Sequence, residues 1–221
     1  MKIACCLILA AAAFLGGCAT QSAPYDYTAF RKAKPASMLV LPPVNDTADV
    51  NATPGVWAHA TRPLAEAGYY VLPVALVDET FRQNGVTVAH DAQEVPYAKL
   101  RDYFGADAAV YLRVKSYGST YTVLSSDVKV EVQARIVDLR SGDLLWQGSA
   151  AASSAEQSQQ NQGGLVGLLV AAVVKQVMNN ATDAVLTYSA LANQRALGTP
   201  RSNGVLPGPR SPLYGQASAV Q

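Results

Sequence analysis

Val128-Lys129-Val130-Glu131-Val132-Gln133-Ala134-Arg135-Ile136 is the stretch that decides the fold. Its apolar residues recur at every second position, with polar side chains between them. Side chains on a strand point alternately to opposite faces, so this period predicts a half-buried antiparallel strand. Upstream, Val110, Leu112 and Val114 alternate with Tyr111, Arg113 and Lys115, and Gly118-Ser119-Thr120 is the expected connection between the two strands. Downstream, Asp138-Leu139-Arg140-Ser141-Gly142-Asp143 has turn chemistry, and Leu144-Leu145-Trp146 begins a return strand. The three runs predict an antiparallel meander. Its outward face would carry Tyr111, Arg113, Lys115, Tyr117, Lys129, Glu131 and Arg135.

Ahead of the meander, short strands alternate with helices. Ordered structure should begin near Ser37, where Met38–Leu41 forms a short apolar strand stopped by Pro42-Pro43. Thr53-Pro54 opens a helix showing Trp57, Ala60, Leu64 and Ala67, with Gly68 as its stop and Pro63 predicted to kink or split it. Tyr69–Leu72 reads as a second strand. Pro73 then opens a helix with Val74, Val77 and Phe81 on one face, and a further helix runs from about Pro96 to Phe104. After the meander, Ala150–Gln162 reads as a loop. A last helix, from about Leu165 to Ala192, carries the stripe Val166, Val170, Val173, Val177, Ala181, Ala184, Tyr188 and Leu191. The fold class that follows is α/β (α+β-like): one domain, a mixed sheet with a three-stranded antiparallel meander, and helices packed on it.

The chain has 221 residues, enough for one domain with non-globular ends. At its start, Met1-Lys2 precedes an apolar run from Ile3 to Leu15, too short to span a bilayer as a helix and suited to a secretory signal. Leu15-Gly16-Gly17-Cys18 resembles the bacterial lipobox, in which the peptidase cuts before a cysteine that carries diacylglycerol. This divides the chain into a signal peptide (1–17), a lipidated tether (18–36), a globular domain (37–195) and a disordered tail rich in Pro, Gly and Ser (196–221). Ala19 rather than Asp after the cysteine directs such a protein to the outer membrane, by analogy with enteric bacteria. Cys5 and Cys6 leave with the signal and Cys18 becomes a thioether, so thiolate catalysis and thiolate metal sites are excluded from the mature chain.

Seventeen basic against sixteen acidic side chains do not mark a nucleic-acid binder. His59 and His90 lack partners at metal-ligand spacing, and Asp78-Glu79 diverge by about 100° on a helix, so they cannot converge as an acid/base pair. With no nucleophile elbow and no phosphate loop, the sequence predicts a non-enzyme without cofactor, metal or evident small-molecule substrate. Leu165–Val174 is apolar on every side except at Gly167. One helix face packed on a sheet cannot hide it, so Leu165, Leu168 and Ala172 are candidate interface residues for a second copy or another envelope protein.

Met38–Pro43, Thr61–Tyr70, Val77–Phe81, Gly105–Ala108 and Val137–Gly142, taken together, resemble a family of bacterial outer-membrane lipoproteins of unknown function, one of which is a meningococcal vaccine candidate. The resemblance covers about residues 15–195. It implies a domain like the amino-terminal domain of TolB, found also in lipoprotein activators of peptidoglycan synthases and in the curli-secretion pore family. It offers no catalytic residues and transfers one functional position, Cys18. The function it suggests is that of a non-catalytic accessory or scaffold of an envelope transport or assembly complex. It would be lipid-anchored in the outer membrane, facing the periplasm, with a curli-pore-like lipoprotein or its own copies as partners. The alternatives are a lipoprotein regulator of peptidoglycan synthesis and, less well supported, an envelope hydrolase.

Overall fold

In the computed structural model, the described residues are 25–121, 126–156 and 181–216. Cys18, Leu165, Leu168 and Ala172, with the apolar block of the expected last helix, lie outside them.

Six strands form one mixed sheet. β1 (Ser37–Val40), β3 (Tyr70–Val71) and β4 (Ala108–Tyr121) are parallel, with β1 in the middle. β2 (Val44–Asn45) continues along the same edge of β4 as β1, after the break at Pro42-Pro43. β4, β5 (Ser126–Asp138) and β6 (Leu144–Ser153) form the antiparallel meander, giving the order β3-β1-β4-β5-β6. The predicted fold class is the observed one. Met38, Leu39, Val40 and Leu41 are all fully buried, as a parallel strand between two helical crossovers requires.

The first crossover is α2 (Ala52–Glu66), preceded by a short α1 (Thr28–Ala33) at the chain's start. Pro63 falls in the last turn of α2, where the missing N–H removes one hydrogen bond without dividing the helix. The second crossover holds α3 (Val74–Gln83), α4 (Ala89–Glu94) and α5 (Tyr97–Phe104); α4 has no counterpart in the sequence reading. α6 (Ala181–Leu197) packs on α2, β5 and β6. Its buried stripe is Ala184, Val185, Tyr188, Ser189, Ala192, Asn193 and Ala196, while Leu191 lies at its exposed edge.

Val128, Val130, Val132, Ala134 and Ile136 are all buried, as their alternation predicts. Two details of the meander differ. Gly118-Ser119-Thr120 does not connect β4 to β5: it lies within β4, paired with Lys129, Val128 and Asp127. β6 continues to Ser153, paired with Lys129, because the long β5 supplies a template that a run of Ala and Ser does not announce.

The two ends differ most from expectation. Residues 25–36 are not tether: Tyr27 and Phe30 are buried in the core, and Tyr25 N donates to Asn203 Oδ1 at 3.0 Å. Nor do residues 198–216 trail away. Val205 is fully buried, and the carbonyls of Asn203, Gly204 and Leu206 accept from Trp146 Nε1, Tyr27 Oη and Tyr69 Oη at 3.0, 2.5 and 2.6 Å. Gly208 N donates to Ala67 O at 2.7 Å and Arg210 N to Gly68 O at 3.0 Å. Gly68, at φ +94°, leaves room for the Ser211 backbone, which occupies the place of a side chain there. The segment lacks periodicity because it is strapped down by backbone carbonyls, which leave no trace in side-chain composition.

Candidate interaction surface

The meander buries one face against α2 and α6 and, among the described residues, leaves most of the other open. Register sets that open face in rows across β4, β5 and β6: Tyr111–Arg135–Gln147, Arg113–Gln133–Ser149, Ser116–Glu131–Ala151 and Gly118–Lys129–Ser153. A bulge between Val114 and Ser116 leaves Lys115 as the extra residue. Beyond a one-residue bulge the alternation reverses, so Tyr117 sits opposite Val130 on the core side and not on the outward face. There it packs over α2, where Gly55 makes room: a Cβ at Gly55 would overlap the Tyr117 hydroxyl. Ser189 Oγ donates to Gly55 O at 3.0 Å, and Asn193 Nδ2 donates to Val56 O and Ser189 O. These two buried polar residues fix α6 on α2.

Ion pairs organise the open face. The Arg135 guanidinium lies 4.4 Å from the Tyr111 ring centroid, and burial raises the pKa of the Tyr111 phenol. Arg113 and Lys115 both reach Asp46, each at 2.7 Å. The hydrogen bond from Lys115, with the nearby Arg113 charge, holds the Asp46 carboxyl below the usual carboxylate range. Lys129 pairs with Glu131 at 2.7 Å. At the upper side, Gln93 Nε2 donates to Pro42 O and Leu112 O at 2.9 and 2.8 Å. A shallow depression of about 650 Å³ lies between Gln93, Tyr111, Arg113, Gln133, Arg135 and Gln147. Arg113, Lys115, Lys129 and Arg135 share the face with Asp46, Asp127 and Glu131, and Asp49 lies beside Gly118, so it is a polar surface of mixed charge with many amide donors. Such a surface suits recognition of a polar partner of complementary charge pattern.

The residues weighed for chemistry are spread over separate helices. His59 is half-buried on α2, and burial lowers its pKa. Asp78 is exposed on α3, and Glu79 is bonded to Arg82 and Gln83. His90 gains neighbours the sequence reading did not give it: Asp91 and Glu94 lie on the same short helix, with ligand atoms within 4.8 Å of one another. All three are exposed, and the His90–Glu94 distance of 3.5 Å is that of a helix-surface pair. At the base of the sheet, Asp107 ties β1 to β4. Its Oδ2 accepts from Ala36 N, Ser37 N and Ser37 Oγ, and its Oδ1 accepts from Arg140 Nη2. Burial opposes ionisation of Asp107, but these bonds outweigh it and hold the carboxyl below its ordinary value.

Comparison with known proteins places the fold. The model of the GNA1162-like family, described as "Putative lipoprotein GNA1162-like", matches residues 25–210. The chain belongs to the GNA1162-like lipoprotein family. The match begins at the first described residue and includes most of the C-terminal strap, which the sequence resemblance had left outside. A lipoprotein of Neisseria meningitidis serogroup B (strain ATCC BAA-335 / MC58), "Putative lipoprotein NMB1124/NMB1162", is 48% identical over 203 residues, covering 91% of this chain and 94% of its own. The crystal structure of lipoprotein GNA1162 from Neisseria meningitidis is 47% identical, with a TM-score of 0.52 over 66% of this chain and 100% of that one. The LpoB C-terminal domain from Salmonella enterica is more remote, at 17% identity and a TM-score of 0.39 over 53% of this chain and 82% of that one. Among the described residues no helix is long and apolar enough to cross a membrane.

Proposed function

We propose that this GNA1162-like protein is a non-catalytic lipoprotein, anchored through Cys18 in the outer membrane and facing the periplasm. It acts as an accessory of an envelope transport or assembly complex. The observation that supports this reading is the polar, mixed-charge outer face of the meander, a broad sheet surface that no described helix packs across, in a family of lipoproteins. Another envelope lipoprotein, such as a curli-pore-like one, or a second copy of this chain would dock there. The apolar block with Leu165, Leu168 and Ala172 offers a second contact. A short tether argues against reach across the peptidoglycan layer: Tyr25 is seven residue steps from Cys18, at most about 25 Å fully extended.

Photo-crosslinkers placed at Gln133 and Ser149 in intact envelopes test the docking. A discrete adduct from both positions, lost on the substitution pair Arg113→Glu/Arg135→Glu, is the expected result. An open face that gives no adduct refutes it. The anchor is tested separately, since Cys18→Ala should abolish palmitate labelling.

A further inference from the structure

Most of the described positive charges on the helices and the meander, Arg62, Arg82, Arg113, Lys115, Lys129, Arg140 and Arg195, are in ion pairs with carboxylates, while Lys99, Arg101 and Arg135 are scattered singly among them without one. Arg31 and Lys32 on α1, Lys34 at its C-terminal cap, and Arg201 and Arg210 on the C-terminal strap form no ion pair among the described residues, and all five are exposed; Arg31 and Arg210 lie 5.9 and 5.7 Å from the Tyr27 and Tyr70 ring centroids. Asp26 is the one carboxylate in residues 25–36 and 198–216 together. The two segments are contiguous in space, joined by the bonds from Tyr25 and Tyr27 to Asn203 and Gly204. Between them lies a cavity of about 400 Å³ with Phe30, Pro35, Tyr69, Leu206 and Tyr214 in its wall and Arg31 and Lys34 beside them. An apolar hollow flanked by exposed cations in no ion pair among the described residues is complementary to a phospholipid, which has an anionic head on an apolar body.

The position of α1 in the sequence, close after Cys18, puts this face near the bilayer. With Cys18 acylated, Tyr25 is held within about 25 Å of the leaflet, and α1 follows at once. The anchor alone leaves the domain free to turn, whereas basic residues near an anionic leaflet each favour the bound orientation roughly five-fold.

We propose that α1 and the C-terminal strap form a membrane-contact face that seats on anionic phospholipid of the leaflet holding the anchor. In that orientation Arg31, Lys32, Lys34 and Arg201 meet lipid phosphates and the cavity takes the apolar part of one lipid. The anchored domain is thereby oriented on the leaflet rather than merely tethered to it. The proposal rests on acylation of Cys18.

Lipidated full-length protein is reconstituted into vesicles of phosphatidylcholine alone, or of phosphatidylcholine with phosphatidylglycerol, and its lysines are labelled with an amine reagent. Flotation on phosphatidylcholine reports the anchor. Protection of Lys32 and Lys34 by about five-fold or more, on the anionic vesicles only and reversed by high salt, supports the contact face, with Lys99 and Lys129 as unprotected references. The pair Arg31→Glu/Arg201→Glu, whose side chains are exposed, should melt as the wild type does and lose the protection of Lys32. Flotation with equal labelling on both vesicles overturns the contact face and leaves the anchor standing. Failure to float overturns the anchor, and with it the tether argument for this face.

Discussion

Replacing Asp107 by Asn tests how the base of the sheet is held. The carboxylate receives four donors: Ala36 N at 3.0 Å, Ser37 N at 3.1 Å, Ser37 Oγ at 3.0 Å and the Arg140 guanidinium. An asparagine can keep its one oxygen toward the Ala36–Ser37 donors, but its amide then faces Arg140 donor to donor. Hydrogen bonds to charged groups are worth roughly 1.5–3 kcal/mol against roughly 0.5–1.5 for neutral ones, so about 1 kcal/mol of charge assistance is lost per strong donor. The side chain is 20% exposed, which tempers the total to about 2–3 kcal/mol. In a domain of this size that corresponds to a melting-temperature drop of roughly 4–12 °C. The pH dependence has a definite sign. The folded pKa lies below the ordinary 3.8, so the carboxylate's contribution is complete above that value and fades as pH falls through the folded pKa. The difference between wild type and Asp107→Asn should therefore be full near neutrality and shrink below about pH 4. Calorimetric melts of both proteins from neutral to acid pH measure it. Equal destabilisation at both ends, or none at neutrality, refutes the reasoning.

Deleting residues 199–221 should lower the melting temperature by well over a few degrees and perturb Trp146 fluorescence, because it removes the carbonyl acceptors of Trp146, Tyr27 and Tyr69 and uncovers the site of Val205; an unchanged melt would show that the strap is not a structural element. Gly55→Ala should cost about 1–2 kcal/mol, overpacking against Tyr117 exceeding the gain in helix propensity. Tyr117→Phe should recover part of that loss in a double-mutant denaturation cycle, and full additivity would contradict the contact. Val132→Glu should unfold the domain by burying an unpaired carboxylate, whereas Gln133→Glu, one position on, should change stability by no more than about 0.5 kcal/mol. Circular dichroism separates the two, and similar losses would mean that the meander's faces are misassigned.

What the sequence by itself determined is whatever leaves a local period or a punctuating residue. The alternation from Val128 to Ile136 placed the meander and its buried face. Pro73, Gly68 and Gly105 marked element ends, and the hydrophobic run closed by Leu15-Gly16-Gly17-Cys18 marked the address. Tertiary structure decided the features that depend on partners distant in the chain. The bulge at Lys115 moved Tyr117 from the outward face to the core, and no local pattern announces a bulge, because one extra residue breaks the period without replacing it. Residues 25–36 and 198–216 read as loose ends, since their order comes from Tyr27, Tyr69 and Trp146 bonding to backbone carbonyls more than fifty residues away in sequence. The excess charge of α1 and the strap was equally hidden. Seventeen bases balance sixteen acids along the chain, and only folding pairs most of the others with acids and brings the segment of Arg31, Lys32 and Lys34 against the strap that carries Arg201 and Arg210. Composition sums charge over the whole molecule, whereas a surface is made of the charges that folding brings side by side.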